Sequence, residues 1–285
     1  MEIIKPIFIV GTGRSGTTFF YRILIQHKSV TSFTNWDAGL PKLFKIGVVP
    51  LIEKNALTRK FFKKFKKFEP SKEMRGILEY ANILQKPLPL SKEDVESDDK
   101  EKLKSMIKKC LKYHKAERFV GKNTTNGLRL EYLNHIFPDA FFIHVIRDGR
   151  ANINSFLNVD WFEDIEYWWA EGKAHKDLIK EGKSPEELAA LHWKRNTEEV
   201  IRQSKSIDPE RYYEAKYEDF TNNPLSSFKK VLRFCELEWY EEYENLIRNS
   251  HFENRNYKWQ ENLNREQIEQ IEKIIGDLLG KLGYD

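Results

Sequence analysis

A glycine-rich stretch near the start of the chain, GTGRSGTT at residues 11–18, constrains the fold more than any other feature. It follows the apolar run IFIV and leads into TTFFYRILIQH, in which apolar residues recur at helical spacing. A short strand, a glycine-rich turn and a helix are typical of a loop that holds an anion with backbone N–H groups at a helix N-terminus. The stretch therefore predicts a buried strand at 7–10, a helix after it and an anion site between them.

A second buried strand is predicted at residues 141–146, FFIHVI, which follow a Pro138-Asp139 turn and stop at Arg147. The sequence ANINSFL then begins a helix. Strands that alternate with helices predict an α/β fold with a central, mainly parallel sheet flanked by helices, like that of the P-loop NTPases. We expect polar chemistry at the carboxyl ends of these strands, where the anion loop and Arg147 both lie.

Residues 36–118 show no strong strand pattern and predict a helical insertion in one domain that spans residues 1–285. Within the insertion, RKFFKKFKKF at 59–68 places four phenylalanines on one helical face and six basic residues on the rest. This pattern suits a solvated helix packed on its aromatic side. It equally suits a cationic entrance for an acidic or lipid-borne substrate, in contact with a membrane surface.

The last hundred residues predict mostly amphipathic helices whose aromatic side chains pack in the core. DIEYWWAEG and LSSFKKVLRFCEL are examples.

The composition excludes some classes of protein but does not identify the ligand. The net charge of +4 suits an anionic small molecule as well as a nucleic acid. The two cysteines, Cys110 and Cys235, lack the paired spacing of a zinc site or of a secreted disulfide framework. No apolar run approaches the ~20 residues that cross a bilayer, and the N-terminus lacks a secretory signal, so we expect a cytoplasmic location.

The anion loop differs from the nucleotide-binding pattern G-x-x-x-x-G-K-[ST] at one position. Gly11, Gly16 and Thr18 match the pattern, but Thr17 stands in place of the lysine. In kinases and NTPases that lysine and Mg²⁺ offset roughly four negative charges on the outer phosphates. A phosphosulfate, with one phosphate and a singly charged sulfuryl group, needs neither of them, and Arg14 supplies a charge within the loop.

The loop without the lysine and several other motifs of the chain resemble those of one family, the sulfotransferases that use 3′-phosphoadenosine 5′-phosphosulfate (PAPS). GRSGTT resembles their 5′-phosphosulfate loop, and FFIHVIRDGRANINSFL resembles their 3′-phosphate element, an arginine with a serine eight residues later. KYEDF resembles the Tyr-Glu-Asp element that approaches the nucleotide, and ENRNYKWQENL resembles the basic-aromatic segment that closes over it. The resemblance implies these nucleotide-binding residues: Arg14, Ser15, Gly16, Thr17, Thr18, Arg147, Ser155, Tyr217, Arg255 and Lys258.

The resemblance also implies the reaction, an in-line transfer of the sulfuryl group to a hydroxyl or amine that needs no metal and releases PAP. Lys122 lies in a Lys-Asn motif similar to that of bacterial and carbohydrate-type members and, with Arg14, is a candidate catalytic residue. Small-molecule cytosolic members carry a histidine base two residues later, where this chain has Thr124. Asp37, the nearest carboxylate after the loop's helix, is the candidate base, and it would equally suit a helix N-cap.

Several alternatives stay open at this stage. A P-loop small-molecule kinase must explain the missing lysine, and a non-catalytic module could bind nucleotides or polyanions through residues 59–68. For a sulfotransferase we expect a small-molecule or glycan acceptor rather than a nucleic acid, with residues 36–118 as a lid on the acceptor side. Phe19 replaces the tryptophan that stacks on adenine in many members. His27 and His144 are interpreted as a helix-end residue and a core residue.

Overall fold

The computed structural model of the protein describes residues 2–33, 74, 78–79 and 81–284. Its strands are β1 (Ile7–Val10), β2 (Val30–Thr31), β3 (Arg118–Lys122), β4 (Phe141–Ile146), β5 (Glu166–Tyr167), β6 (Lys173–Ala174) and β7 (Tyr212–Lys216). Five of them form one sheet in the order β2-β3-β1-β4-β7, and every neighbouring pair in it is parallel. Strands β5 and β6 form a separate antiparallel hairpin.

Helices flank the sheet on both faces. They are α1 (Thr17–Leu24), α2 (Ser97–His114), α3 (Leu130–Ile136), α4 (Gly149–Leu157), α5 (His175–Lys180), α6 (Pro185–Ser204), α7 (Tyr217–Asn222), α8 (Pro224–Phe234), α9 (Glu241–Arg248), α10 (Lys258–Asn262) and α11 (Arg265–Lys281). Short 3₁₀ helices cover Ile83–Gln85, Lys92–Asp94, Thr124–Arg129, Asp160–Asp164, Trp168–Ala170 and Pro209–Arg211. The predicted α/β fold, a mainly parallel sheet between helices, is confirmed.

Strand β1 is apolar at every position because both faces of the sheet are covered. Phe8 and Val10 pack in a core shared with α2 and α3, whereas Ile7 and Ile9 pack on the other face with α1 and α8. All four side chains are fully buried. The lack of polar alternation in IFIV is therefore the pattern of a central strand.

The order of the strands determines where a ligand can bind. Strand β1 lies between β3 and β4 in the sheet. The chain connections at the carboxyl ends of these strands therefore run to opposite sides of β1. In open α/β sheets such a divergence leaves a crevice at the carboxyl ends of the strands. The loops after β1, β3 and β4 all border this crevice.

One predicted helix is wrong. DIEYWWAEG forms the β5–β6 hairpin and a 3₁₀ turn, with Glu171 and Gly172 at φ 55° and 78°. Two consecutive left-handed residues make a tight turn that reverses the chain, and adjacent aromatic residues favour extended backbone. Tyr167 is fully buried and its hydroxyl contacts His175 Nδ1 at 2.8 Å. The helix predicted from LSSFKKVLRFCEL is confirmed as α8.

The described part of the predicted insertion is consistent with a helical segment, since α2 occupies residues 97–114. Asp37 and the basic-aromatic stretch 59–68 lie outside the described residues, so the predictions made for them remain predictions. The same holds for the lid and for the single-domain organisation. Among the helices that are described, none is both long enough and apolar enough to cross a membrane.

Candidate active site

The loop between β1 and α1 has the backbone of an anion site. Gly11, Arg14 and Gly16 have φ values of 143°, 65° and 90°, and Gly16 is the N-cap of α1. A Cβ on Gly11 would lie 2.5 Å from the carbonyl oxygen of Val145, so no larger residue fits there. The N–H groups of the first turn of α1 have no intrahelical acceptor and carry the positive end of the helix dipole. The loop therefore presents backbone donors to the crevice.

Ser15 supports this loop from the inside. Its hydroxyl donates to the Thr12 carbonyl oxygen at 2.7 Å, its N–H donates to the same oxygen at 3.3 Å, and the residue is fully buried. Asn152 on α4 donates through Nδ2 to Thr12 Oγ1 and to the Gly13 carbonyl oxygen, at 3.2 and 2.9 Å. Ser15 thus holds the loop in shape rather than facing the crevice. Asn152, which the sequence analysis missed, does the same from the neighbouring helix.

A cavity of about 890 Å³ lies in the crevice. This volume is within the range of ligand pockets in proteins, roughly 300–1,000 Å³. The candidate residues that line it are Arg14, Gly16, Thr17, Thr18, Lys122, Arg147, Ser155, Tyr217, Arg255 and Lys258. Of the described candidates for the nucleotide, only Ser15 lies outside this lining. Residues the sequence analysis did not select also line it, among them Arg22, Asn154, Trp161 and His251.

At one end of the cavity, charge is concentrated around the first turn of α1. Lys122, at the carboxyl end of β3, is 1% exposed and donates from Nζ to Thr18 Oγ1 at 3.0 Å. Arg14 lies in the loop itself and donates from Nε to Ser155 Oγ at 3.0 Å. One cation therefore approaches the first turn of α1 from the sheet, and the other lies in the loop and is held by Ser155 on α4. Both side chains add positive charge to the positive potential at the N-terminus of α1.

The second cationic group is the buried side chain of Arg147. Its guanidinium donates to Asn256 Oδ1 and to the carbonyl oxygens of Arg14 and Arg255, at 3.1, 3.1 and 3.3 Å. It also lies 4.5 Å from the centre of the Tyr217 ring. Burial lowers the pKa of Arg147, yet an arginine stays protonated at neutral pH.

The partners of Arg147 are all neutral, which matters for ligand binding. No carboxylate within the described ranges lies at ion-pair distance from this guanidinium. The more distant carboxylates of Glu218 and Asp148 partly oppose the effect of burial on the pKa of Arg147. A buried charge without a directly bonded counter-ion costs free energy, which an anionic ligand can recover. Arg147 is therefore poised to bind an anion from the cavity.

The segment after α9 closes one wall of the cavity. The Tyr217 hydroxyl donates to the Glu253 carbonyl oxygen at 3.0 Å, which fixes this segment to α7. Arg255 pairs with the Glu253 carboxylate at 2.6 Å, and the hydrogen bond from Arg255 lowers the pKa of Glu253. Phe19 forms an apolar patch of the wall, with its ring 5.1 Å from that of Phe252.

The two histidines set aside in the sequence analysis lie away from the cavity. His144 is 1% exposed and contacts the Tyr212 hydroxyl at 2.7 Å, and burial lowers its pKa to about 3. It is a core residue, as predicted. His27 packs at the end of α1, where its Nε2 contacts the Glu238 carbonyl oxygen at 2.8 Å. Neither imidazole lines the cavity, so neither is positioned to accept a proton there.

Comparison with known proteins identifies the family. Residues 6–241 match the sequence profile described as the Sulfotransferase family. The chain belongs to the sulfotransferase family. The prediction made from the loop and strand motifs is confirmed, and the crevice is the candidate active site of a sulfotransferase.

Individual sulfotransferases resemble the chain over nearly its whole length. The omega-hydroxy-beta-dihydromenaquinone-9 sulfotransferase Stf3 of Mycobacterium bovis is 24% identical over 307 residues, which cover 98% of this chain and 75% of Stf3. The crystal structure of sulfotransferase STF9 from Mycobacterium avium superposes with a TM-score of 0.65 at 18% identity, covering 100% of this chain and 78% of that one. Sulfotransferase STF1 from Mycobacterium tuberculosis gives 0.63 at 17% identity, with 97% and 77% covered. These two structures show a shared fold.

Metal ligands were not expected in this sulfotransferase. Within the part of the chain that the structure describes, no group of three or more His, Cys, Asp or Glu side chains is arranged to hold a metal ion. The metal-independent reaction stays a prediction, and it is tested below by adding a chelator.

Proposed function

We propose that this protein transfers a sulfuryl group from PAPS to a hydroxyl or amine of an acceptor and releases PAP. The observation that carries the proposal is the buried, unpaired guanidinium of Arg147 in the same cavity as an anion loop without the usual lysine. PAPS has a 3′-phosphate and a 5′-phosphosulfate, so it needs two separate cationic groups. The cavity offers both. The apolar ring of Phe19, which lies on α1 against Phe252 of the closing segment, suits an adenine base.

Bound PAPS would supply the sulfuryl group, and the protein would supply positioning and charge. The N–H groups of the first turn of α1 and Arg14 would hold the 5′-phosphate, while Arg147 and Ser155 would hold the 3′-phosphate. Lys122 donates a hydrogen bond to Thr18, and in the proposed reaction it would stabilise the negative charge that develops on the leaving oxygen. A preorganised cation in a buried site stabilises such charge more than water does.

The acceptor is proposed only as a class: a carbohydrate, a lipid or a small metabolite. The Mycobacterium relatives are named for a hydroxylated dihydromenaquinone, so a lipid-borne hydroxyl is the class to test first. We propose that residues 36–118 form the acceptor-side lid of a single domain spanning residues 1–285. Asp37, within that lid, would accept the proton of the attacking hydroxyl.

The proposed function can be tested with PAPS labelled with radioactive sulfur. The protein is incubated with this donor, a chelator and a panel of acceptors that includes hydroxylated polyprenyl lipids, glycans and simple alcohols. We expect label in at least one acceptor, with an equal amount of PAP released. Transfer of the γ-phosphate from ATP with Mg²⁺, together with no transfer of label, would show instead that the protein is a kinase.

The base can be tested by replacing Asp37 with asparagine. An amide cannot accept the acceptor's proton, so Asp37→Asn should lower kcat by roughly 100-fold or more. PAP affinity should stay nearly unchanged, because the base contacts the acceptor rather than the nucleotide. The exposed Asp164 provides a matched control, and Asp164→Asn should leave both quantities unaltered. Undiminished turnover in Asp37→Asn would assign the base to another residue.

The loop can be tested at Gly16. A Cβ on this residue would lie 2.5 Å from Cδ2 of Tyr217, and its φ of 90° strains any larger residue. We expect Gly16→Ala to cost ~1–3 kcal/mol of stability and to weaken PAP binding by more than tenfold, because loop and ring must both move. Calorimetry and thermal unfolding measure the two effects.

A control for Gly16 is available in the β5–β6 hairpin. Gly172 also has a positive φ, 78°, but a Cβ there would meet no atom within 4 Å. Gly172→Ala should therefore lose a little stability from backbone strain and keep its PAP affinity. Equal losses of PAP affinity in the two variants would show that the loop's fit against Tyr217 is unimportant.

A further inference from the structure

A cluster of lysines lies along α2, and none of its members lines the cavity. Its members are Lys104, Lys108, Lys109 and Lys112. The opposite face of the helix is fully buried through Leu103, Ile107 and Leu111. The helix is therefore anchored by its apolar side. Lys108, Lys109 and Lys112 are exposed, whereas Lys104 is half-buried, with its Nζ 5.7 Å from the centre of the Phe137 ring. We call this cluster the lysine face.

The lysine face is electrostatically unfavourable for the isolated protein. Lys104, Lys108 and Lys112 follow one another at i,i+4 spacing, at which like charges repel. Burial, and then the charges of Lys100 and Lys108, lower the pKa of Lys104. Nowhere in the described ranges does a carboxylate form an ion pair with a lysine of this face. By contrast Lys102, on the flank of the same helix, pairs with Asp98 one turn earlier.

The chemistry of the surface indicates an anionic ligand. The lysine face borders a shallow hollow of about 470 Å³, whose lining also includes Ser105 and one acidic side chain, Glu101. Beside Lys112, the ring of Tyr113 is 47% exposed. Tyrosine has an apolar body and a polar tip and is enriched where protein meets the headgroup region of a membrane.

We propose that the lysine face of α2 binds the phosphate-bearing headgroups of an anionic membrane surface. Lysines act as point charges on flexible stems, which suits mobile headgroups along a helix about 27 Å long. Arginine, which nucleic-acid sites use for bidentate contacts to guanine and phosphate, is absent from this helix. The buried side of α2 reaches strand β2, where Cys110 Sγ contacts the Ser32 carbonyl oxygen at 3.4 Å. The membrane would therefore lie on the outer side of α2, away from the sheet.

The proposal does not depend on the proposed function, since no residue of the lysine face lines the nucleotide cavity. It can be tested with the full chain by sedimentation with vesicles. One set contains phosphatidylcholine alone, and the other contains about one third phosphatidylserine. We expect strong preference for the anionic vesicles and release at high salt, where headgroup charges are screened.

The decisive variant reverses three charges at once: Lys104→Glu, Lys108→Glu and Lys112→Glu. It should weaken binding to the anionic vesicles by at least roughly 100-fold, because each lysine near such a surface contributes about fivefold. The control reverses three exposed lysines on other surfaces, by Lys176→Glu, Lys205→Glu and Lys273→Glu. Both variants have the same net charge, so the control should bind almost as well as the natural chain.

Unchanged PAP affinity and melting temperature would show that the variants fold. The proposal is overturned if both triple variants lose binding equally, because net charge alone would then explain the attraction. It is also overturned if the natural chain does not distinguish the two vesicle types, including the case in which it binds duplex DNA or RNA tightly instead.

Discussion

Replacing Arg147 with alanine should weaken PAP binding by roughly 100-fold and weaken binding of adenosine 5′-phosphosulfate much less. The second ligand has no 3′-phosphate, so it does not use the contact that Arg147 is proposed to make. The guanidinium is 8% exposed and its hydrogen-bond partners are neutral, so a bound phosphate would be its one close counter-ion among the described groups. Charge-assisted bonds of this kind contribute about 1.5–3 kcal/mol each.

The two ligands also separate recognition from folding. Arg147 holds the carbonyl oxygens of Arg14 and Arg255, so its loss could loosen the loop and the closing segment together. Such loosening would weaken both ligands to the same extent. Arg147→Lys should give an intermediate loss for PAP, because the charge stays while the planar fork is lost. Arg248, exposed and paired with Glu244 on α9, provides the control, and Arg248→Ala should change neither affinity. Equal losses for PAP and adenosine 5′-phosphosulfate in Arg147→Ala would refute the assignment.

Removing the charge of Lys122 should affect turnover rather than nucleotide binding. We expect Lys122→Met to lower kcat by roughly 100- to 1,000-fold, as for the loss of one preorganised donor at a developing negative charge. PAP affinity should fall by less than tenfold, because PAP lacks the sulfuryl group and the loop's N–H groups remain. Methionine fills a similar volume in a site where the lysine is 1% exposed, so the fold should survive.

The Lys122 experiment compares PAP release from PAPS with an acceptor that the natural chain sulfonates. The exposed Lys205 supplies a matched control, and Lys205→Met should keep full turnover. A Lys122→Met variant with normal kcat and a PAP affinity reduced more than 100-fold would contradict the account. Lys122 would then serve binding of the nucleotide, and another cation would have to stabilise the leaving oxygen.

The sequence predicted correctly two strands whose side chains are almost all apolar, whereas the equally buried β3 was missed. β1 and β4 are short apolar runs bounded by Pro6 and Gly11 in one case and by Asp139 and Arg147 in the other. The remaining strands of the sheet lack this signature. β3, RFVGK, begins and ends with a charged residue, and β7, YYEAK, lies at an edge of the sheet and mixes polar with aromatic positions. Periodicity cannot separate such strands from loops.

The charged residues that line the cavity could be selected from the sequence because they lie in recognisable motifs. The amides that bond the loop and Arg147 could not. Asn152 bonds Gly13 across 139 residues, and Asn256 bonds Arg147 across 109 residues. No local spacing reveals such partners, since they are set by the packing of α4 and the closing segment against the loop. For Ser15 the motif predicts a ligand contact, whereas the turn directs its hydroxyl to the Thr12 carbonyl oxygen. The binding role of Ser15 stays a prediction.

The central claim is that this cavity binds a nucleotide with both a 3′-phosphate and a 5′-phosphate, and titration of PAP in a calorimeter tests it most directly. We expect one site per chain with a Kd in the micromolar range or tighter, in the presence of a chelator. We also expect ATP with Mg²⁺ to bind more weakly than PAP. Failure of both PAP and PAPS to bind at micromolar concentrations, or tighter binding of ATP with Mg²⁺ than of PAP, would contradict the proposed nucleotide site.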